Sequence, residues 1–311
     1  MMDFMFLIDC VVGIIFTIIY IVQEFFNNLF KRPYKSLRNK RVLITGAGRG
    51  LGKELAEQLA QEGCELILTD INEEGVKQTA EEINSRFEDK WYQRRVLVAV
   101  YFKADVSDKA EIKKLNENVR KIGYVDILIN NAGIVASSSV LAHTDHEIER
   151  IMDVNLMSNI KMVREFLPDM LENNTGHIVC ISSIAALTAA VNVSAYFASK
   201  YGVTGFMHCL REELRSRKDN RILTTLVHPS FLNPADNSVK HWDVKSRLGA
   251  LSIPDVASVI IEAIKMEKSQ VIIPGYMFYL LCFIRFLPQK AIDLWRDICR
   301  TEINRSETNK Y

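Results

Sequence analysis

Short runs of apolar residues alternate with amphipathic helical patterns along most of the chain, from Arg41 to about Ile273. In the helical stretches, apolar positions recur every three to four residues, the period of a helix that covers a core. Short strands that are apolar on both faces are typical of a parallel sheet with helices on either side. The pattern therefore predicts an α/β fold: a doubly wound, seven-stranded parallel sheet with helices on both faces. The predicted strands are Val42–Thr45, Leu66–Asp70, Val96–Lys103, Val125–Asn130, His177–Ser182, Ile222–Val227 and Val271–Ile273.

A glycine-rich segment, Thr45–Gly52, joins the first predicted strand to the first helix. Glycines let backbone N–H groups approach a phosphate, and the helix N-terminus adds a partial positive charge at the same point. The G-x-x-x-G-x-G spacing on its own also suits an ordinary tight turn. The second strand, however, ends at Asp70, where a carboxylate can bind the adenosine ribose hydroxyls. A carboxylate repels a 2′-phosphate and favours NAD over NADP, while Arg49 favours NADP weakly.

A second group of polar residues can move a proton beside such a cofactor. Tyr196 and Lys200 stand four apart, on one face of a predicted helix, and Ser183 follows the fifth strand. We expect the Lys200 ammonium to lower the pKa of Tyr196 and make it an acid and base. Ser183 can hydrogen-bond the reacting oxygen, and Asn155 can hold a water that passes the proton outward. Each residue alone also suits a solvated helix face or a strand cap.

The N-terminal segment Phe4–Val22 has one charged residue, Asp9, in a stretch about long enough to cross a membrane. Basic residues follow it, and neither a preceding basic region nor a cleavage site is visible. We expect residues 1–30 to be an uncleaved transmembrane anchor and 31–41 a basic linker, with the catalytic domain in the cytosol. A buried helix is the alternative. Asp9 also leaves a shallow or hairpin insertion open.

The combined motifs resemble the short-chain dehydrogenase/reductase family over about residues 38–275. They are TGxxxGxG at Thr45–Gly52, Asp105-Val106 after the third strand, NNAG at Asn130–Gly133, then Asn155, Ser183, Tyr196 and Lys200. The resemblance implies a Rossmann-type fold in which Asp105 contacts adenine, Asn131 braces the central sheet and Lys200 also binds the nicotinamide ribose. The implied cofactor-binding residues are Gly46, Arg49, Gly50, Leu51, Gly52, Asp70, Asp105, Val106, Asn131, Ala132, Gly133, Tyr196, Lys200 and Pro229.

Two local features refine this resemblance. The anchor and the phrase Leu68–Asn72 are similar to the membrane-bound retinol and 17β-hydroxysteroid dehydrogenase branch. The family usually has Pro-Gly after the sixth strand and a threonine a few residues on, near the nicotinamide amide. Here Ser230 replaces the glycine and no threonine follows at that place. Ser230 or Asn233 is the candidate to take its role.

The region after the sixth strand holds less regular segments. Asn233–Gly249 is polar and stands where a substrate lid can lie, and Glu88–Arg95 is predicted to be a surface turn. Gly275–Pro288 is apolar but too short to span a membrane, and Gln289–Arg300 places Ile292, Trp295 and Cys299 on one helix face. This extension, residues 276–311, either caps the core or a dimer partner, or makes a second membrane contact at an apolar substrate entrance.

Composition excludes several other classes of protein. The net charge of +1 over 311 residues gives no case for nucleic acid binding, and 48% apolar residues suit one α/β domain with extensions. The six cysteines form no C-x-x-C pair and are expected to be reduced core thiols. His143 and His146 are the one close histidine pair, and we expect them in an exposed loop and predict no metal site.

We therefore expect an NAD(H)-dependent oxidoreductase that interconverts a lipophilic alcohol and its carbonyl, such as retinol, a steroid or another lipid. The expected location is the endoplasmic reticulum membrane or a lipid droplet. A homodimer is expected through Glu147–Leu171 and Tyr196–Arg217, two helical patterns with surplus apolar positions. A non-catalytic membrane or lipid-droplet protein on the same scaffold is the main alternative. A nucleotide-sugar epimerase would need a larger C-terminal domain.

Overall fold

A computed structural model describes residues 12–19, 22–23, 34–91, 98–233, 242–246, 249–299 and 301–305. The chain divides into two compact units, Met1–Lys35 and Ser36–Tyr311. In the first unit, residues 12–19 and 22–23 are helical and exposed. Within the described ranges, no helix combines the length and the apolar character that a membrane crossing requires. Because most of the predicted anchor Phe4–Val22 lies outside the described residues, the anchor stays a prediction.

The second unit is built on a parallel sheet with the strand order β3-β2-β1-β4-β5-β6-β8. The strands are β1 (Arg41–Thr45), β2 (Glu65–Asp70), β3 (Ala99–Lys103), β4 (Ile127–Asn130), β5 (Gly176–Ile181), β6 (Ile222–Pro229), β7 (Trp242–Ser246), β8 (Gln270–Ile273) and β9 (Thr301–Arg305). All six pairings within the seven-stranded sheet are parallel. The predicted doubly wound parallel sheet is confirmed, with strand ends shifted by a few residues.

Helices cover both faces of the sheet. They are α1 (Gly50–Gln61), α2 (Glu73–Trp91), α3 (Lys109–Ile122), α4 (Asp145–Met152), α5 (Ser158–Glu172), α6 (Ser194–Arg215), α7 (Ile253–Lys265), α8 (Tyr276–Arg285) and α9 (Gln289–Cys299). Alternation along β1 shows how the layers form. Val42 and Ile44 pack with α1, α2 and α7 on one face, and Leu43 packs with α3, α5 and α6 on the other. Strands must therefore be apolar on both faces.

The topology places a crevice at the carboxyl end of β1. The chain passes from β1 to β2 on one side, whereas β4 lies on the other side of β1, so the connections diverge at this point. The loops that follow β1 and β4 leave the sheet in opposite directions and open a space between them. Open α/β sheets bind their ligands at such a switch point.

Three local expectations were wrong. Helix α2 continues to Trp91, so Glu88 does not begin a turn. His143 is buried, with Nδ1 3.6 Å from a Glu147 carboxylate oxygen on the first turn of α4. Cys209 is exposed on α6, unlike Cys64 and Cys180, which are buried as expected. In the predicted lid, the described residues form β7, which pairs antiparallel with β9 of the C-terminal extension.

Candidate active site

The loop between β1 and α1 approaches its neighbours too closely for a side chain at Gly46 and at Gly52. Gly46 and Gly50 have φ angles of +66° and +57°, in the left-handed region that favours glycine. A Cβ on Gly52 would lie 2.1 Å from the Gly46 carbonyl oxygen and 2.6 Å from Asn131 Nδ2. The absence of side chains lets the start of α1 sit directly against the turn. This backbone leads into the helix N-terminus, an arrangement suited to a pyrophosphate.

Asn131 and Thr45 join this loop to the end of β4. Asn131 Nδ2 donates hydrogen bonds to the carbonyl oxygens of Thr45 and Gly46, at 2.9 and 3.1 Å. The backbone N–H groups of Asn131 and Ala132 donate in turn to Thr45 Oγ1, both at 3.0 Å. The two sides of the crevice are thus held at one separation before any ligand binds. This is the bracing position that the sequence resemblance implies for Asn131.

The Asp70 carboxylate is fixed at the end of β2, beside the loop. Its Oδ2 accepts a hydrogen bond from the Gly48 N–H at 2.9 Å, and its Oδ1 accepts one from the Asn72 N–H at 2.9 Å. A Cβ on Gly48 would lie 3.0 Å from Asp70 Oδ2, so glycine allows this approach. Each carboxylate oxygen keeps a second lone pair for a ribose hydroxyl. Arg49 is exposed in the same loop.

Asp105 forms a cluster that the sequence pattern does not reveal. Its Oδ1 accepts hydrogen bonds from Ser107 N and Oγ, at 2.9 and 2.6 Å, and its Oδ2 accepts from the Arg150 guanidinium at 3.1 and 3.2 Å. Burial raises the pKa of Asp105, but these hydrogen bonds and the Arg150 charge outweigh it and lower the pKa. Four donors occupy the lone pairs of the carboxylate. Through Arg150, Asp105 is therefore held to α4, and Val106 next to it is buried.

The predicted catalytic side chains come together between β5 and α6. Ser183 follows β5, and its Oγ accepts a hydrogen bond from the Ala185 N–H at 3.1 Å, which caps a short 3₁₀ turn. Tyr196 and Lys200 lie one turn apart on α6, with Lys200 Nζ 5.7 Å from the centre of the tyrosine ring. Lys200 Nζ also donates to the Ile181 carbonyl oxygen at 2.9 Å. The α6 helix is thereby attached to the end of β5.

The electrostatics of this group differ from the sequence prediction. Burial raises the pKa of Tyr196, and a hydrogen bond with Ser183 acts in the opposite direction. Burial also lowers the pKa of Lys200 from 10.5 to about 8. The expectation that Lys200 lowers the pKa of Tyr196 was therefore wrong. Loss of water disfavours both charged forms, and the ammonium is directed at Ile181 rather than at the phenol oxygen.

Asn155 lies in a π-helical turn, Asp153–Met157, between α4 and α5. Its side chain is fully paired with the loop after β4: Oδ1 accepts from Ile134 N and Nδ2 donates to Ile134 O, both at 2.8 Å. Nδ2 also donates to Ser199 Oγ at 3.1 Å. Such π-turns occur frequently at functional sites. The structure shows Asn155 holding α6 against this loop, and its predicted role in holding a water stays a prediction.

His228 is a buried residue of the site that sequence analysis missed. Its Nδ1 lies 3.0 Å from the Ser183 carbonyl oxygen, and its Nε2 lies 3.0 Å from the Gln270 amide nitrogen. A carbonyl oxygen only accepts hydrogen bonds, so Nδ1 carries the proton and Nε2 accepts from Gln270. Burial lowers the pKa of His228 to about 4, so the ring is neutral. A histidine next to a strand-ending proline gives no signal of this contact in the sequence.

A cavity of about 590 Å³ opens beside the catalytic group. Seven predicted site residues lie in its wall: Leu51, Asn131, Gly133, Ser183, Tyr196, Lys200 and Pro229. Ser230 also contributes and is buried, whereas Asn233 is exposed and outside the wall. The opposite side comes from α8 and α9, including Ile292 and Trp295. Asn155 lies outside the wall, at its contacts with Ile134 and Ser199. The remaining predicted residues lie around the glycine loop, at Asp70 or at the Asp105 cluster.

The site combines a glycine loop at the switch point of a doubly wound sheet with a serine, a tyrosine and a lysine in the wall of one cavity. This combination defines an oxidoreductase of the dinucleotide-binding class. Residues 40–243 match the family model for short chain dehydrogenases, and the chain belongs to the short-chain dehydrogenase/reductase family.

Curated relatives and solved structures agree with this assignment. Epidermal retinol dehydrogenase 2 of Homo sapiens is 35% identical over 265 residues, 85% of this chain and 83% of the relative. Estradiol 17-beta-dehydrogenase 11 of Rattus norvegicus is 30% identical over 292 residues, 93% of each chain. A short chain dehydrogenase/reductase from Burkholderia phymatum, solved with NAD, has a TM-score of 0.69 at 24% identity over 89% of this chain and 99% of that chain. The protein is thus an oxidoreductase related to retinol and hydroxysteroid dehydrogenases.

Proposed function

We propose that the protein interconverts a lipophilic alcohol and its carbonyl with NAD(H), using Ser183, Tyr196 and Lys200. The observation that carries the proposal is the shared cavity. Its wall joins these three side chains to Leu51, Asn131 and Gly133 at the crevice, and to an apolar surface from α8 and α9. A substrate in this cavity meets the proton-transfer group and the cofactor crevice together.

The residues of the crevice fit a dinucleotide. The loop at Gly46–Gly52 offers bare backbone at a helix N-terminus, and the fixed Asp70 carboxylate has lone pairs free for ribose hydroxyls. When bound, the nicotinamide supplies the acceptor or donor of hydride. Asp70 supports NAD over NADP because its charge repels a 2′-phosphate. Replacing Asp70 by Ser should shift the preference toward NADP. A wild-type kcat/KM that already favours NADP would mean that Arg49 outweighs Asp70.

The catalytic residues divide the remaining work. Ser183 Oγ orients the substrate oxygen and hydrogen-bonds Tyr196, which favours the phenolate against the effect of burial. Tyr196 gives its proton to the carbonyl oxygen in reduction and takes the hydroxyl proton in oxidation. Lys200, held by its hydrogen bond to the Ile181 carbonyl oxygen, provides positive charge near the Tyr196 ring. The family resemblance assigns it the nicotinamide ribose as well. Because the pKa of Tyr196 is raised, oxidation should speed up as the pH rises above neutrality.

Tyr196→Phe tests this proposal most directly. The purified full-length chain in mild detergent is assayed with retinol, hydroxysteroids and simple lipid alcohols, with NAD and with NADP. The variant should lose at least about 10²–10⁴-fold in turnover while NAD binding, measured by calorimetry, is kept. Near-normal turnover of the variant would refute the role of Tyr196. Wild type that binds NAD but turns over no alcohol would favour the non-catalytic alternative.

We also propose that α8 and α9 contact a lipid bilayer. Helix α8 exposes Tyr276, Tyr279 and Phe283, and Phe286 directly after it is 89% exposed. Helix α9 exposes Leu294 and Ile298, and both helices also line the substrate cavity. An amphipathic element with aromatic and basic residues can lie in a membrane interface. This supports a location at the endoplasmic reticulum membrane or a lipid droplet, with the catalytic unit in the cytosol. Replacing Tyr279 and Phe286 by Ser should weaken vesicle binding at unchanged melting temperature; unchanged binding would refute the contact.

We further propose a homodimer through α5 and α6. Met157 at the N-terminus of α5 is left 38% exposed, and the Cys209 thiol on α6 is exposed as well. A second copy would cover them, as the resemblance implies. Light scattering in mild detergent tests the proposal, and a monomeric mass would contradict it.

A further inference from the structure

The substrate cavity has an unusual charge pattern for a site that takes apolar molecules. Two arginines, Arg285 at the end of α8 and Arg296 on α9, belong to its wall together with Lys200. Among the lining residues that the structure describes, no Asp or Glu accompanies them. The rest of the wall near α8 and α9 is apolar, as at Leu281 and Ile292. The cavity is therefore positive without a matching internal acid.

The two arginines have little to hold them in place. Arg285 makes no hydrogen bond or ion pair with any described residue. Arg296 contacts one of them, Asp293, which lies one turn away on the same exposed helix at 3.4 Å. Exposed pairs of that kind contribute little. Asp297 and Lys290 are also on α9 but outside the wall. The Arg285 guanidinium is thus available to carboxylate, sulfate or phosphate oxygens in a forked geometry, and Arg296 has only a weak exposed contact to give up for them.

Burial sets the direction in which a substrate lies. Ser183 and Lys200 are 9% and 4% exposed, so the reacting hydroxyl enters the deep part of the cavity. Arg285 and Arg296 are exposed and form its rim. Between them lie apolar side chains such as Ile184 and Leu281, both buried. A molecule that fills the cavity has a hydroxyl at one end, an apolar body and an anionic group at the other.

We propose, building on the proposed function, that Arg285 and Arg296 form an anion subsite and that the preferred substrate is a lipophilic alcohol with a carboxylate or similar anion remote from the reacting hydroxyl. The same guanidinium groups can instead bind phospholipid headgroups, so the test must separate a monomeric anion from a membrane surface.

The experiment uses the full-length chain in an uncharged detergent, with ω-hydroxydodecanoic acid, its methyl ester and dodecanol as substrates with NAD. We expect kcat/KM to be about tenfold higher for the acid than for the ester, mainly through KM, since a charge-assisted hydrogen bond is worth about that factor. Arg285→Met and Arg296→Met should each remove most of this preference, because kcat/KM falls much more for the acid than for the ester. Lys290→Met, which removes an adjacent cation outside the wall, is the matched control and should keep the preference.

A binding measurement makes the result independent of turnover. Calorimetry of ω-hydroxydodecanoic acid with the NAD-loaded Tyr196→Phe variant should show binding that Arg285→Met weakens about tenfold. Equal kcat/KM for acid and ester in the wild type, or an equal loss in Lys290→Met, would overturn the subsite. Loss of binding to phosphatidylserine vesicles in the arginine variants, with the acid preference intact, would assign the arginines to headgroups and also overturn it. If no alcohol reacts, the proposed function fails, while the binding arm still decides the subsite.

Discussion

Lys200→Met should abolish catalysis and make the folded protein more stable at pH 7. Lys200 is 4% exposed, and burial lowers its pKa from 10.5 to about 8. At 1.36 kcal/mol for each pKa unit, the buried ammonium destabilises the fold by about 3 kcal/mol. Methionine has a similar length and no charge. The stability gained by removing the charge is reduced because the Ile181 carbonyl loses its hydrogen-bond donor, at a cost of roughly 1–3 kcal/mol. We expect a net gain of about 1 kcal/mol.

The dependence on pH separates the charge from the lost hydrogen bond. Between pH 8 and 10.5 the unfolded chain binds a proton at Lys200 that the folded chain has released, so the stability of the wild type rises with pH in this window. Below pH 8 the destabilisation is fully present. The advantage in unfolding free energy of Lys200→Met over wild type should therefore fall by about 3 kcal/mol from pH 8 to pH 10.5 and reverse in sign, so that the wild type is the more stable protein at the upper end.

Urea unfolding of both proteins, followed by tryptophan fluorescence in mild detergent at several pH values, measures this difference. Lys161→Met is the control, since Lys161 Nζ also donates to a main-chain carbonyl, that of Ser107, but is only half-buried. The difference in unfolding free energy between Lys161→Met and wild type should not change with pH as the difference for Lys200→Met does. Parallel stability curves for wild type and Lys200→Met across the window would refute the reasoning.

Two further predictions concern the loop and the serine. Gly52→Ala places a Cβ 2.1 Å from the Gly46 carbonyl oxygen, so it should abolish NAD binding in calorimetry and lower the melting temperature. The control Gly205→Ala, which has open space around it, should keep NAD binding and leave the melting temperature unchanged or slightly higher. Retained NAD binding in Gly52→Ala would show that the loop can relax. His228→Leu should lower kcat about tenfold, since the Ser183 carbonyl loses its donor, and His228→Asn should restore most of it. The kcat profile should show no step near pH 6.5, because the pKa of His228 is about 4. Equal kcat values for His228→Leu and His228→Asn would mean that His228 contributes only packing.

Patterns within short stretches of sequence determined the fold class and most of the predicted site. The strands are apolar on both faces because each is covered twice, and Leu43 between Val42 and Ile44 already contains that information. Gly52 reflects a steric limit within the loop itself, since a Cβ there would meet the Gly46 carbonyl oxygen. Tyr196 and Lys200 share a helix face by virtue of their spacing alone. Such features are local, so sequence is sufficient to predict them.

The tertiary structure alone decided which distant residues meet and how much water they lose. Arg285 and Arg296 reach the cavity from helices that lie far along the chain from Tyr196. The contacts of His228 with Ser183 and of Arg150 with Asp105 cross between elements and have no spacing rule. The pKa of Tyr196 is raised instead of lowered because desolvation depends on every group around the phenol, whereas the sequence shows one neighbouring charge.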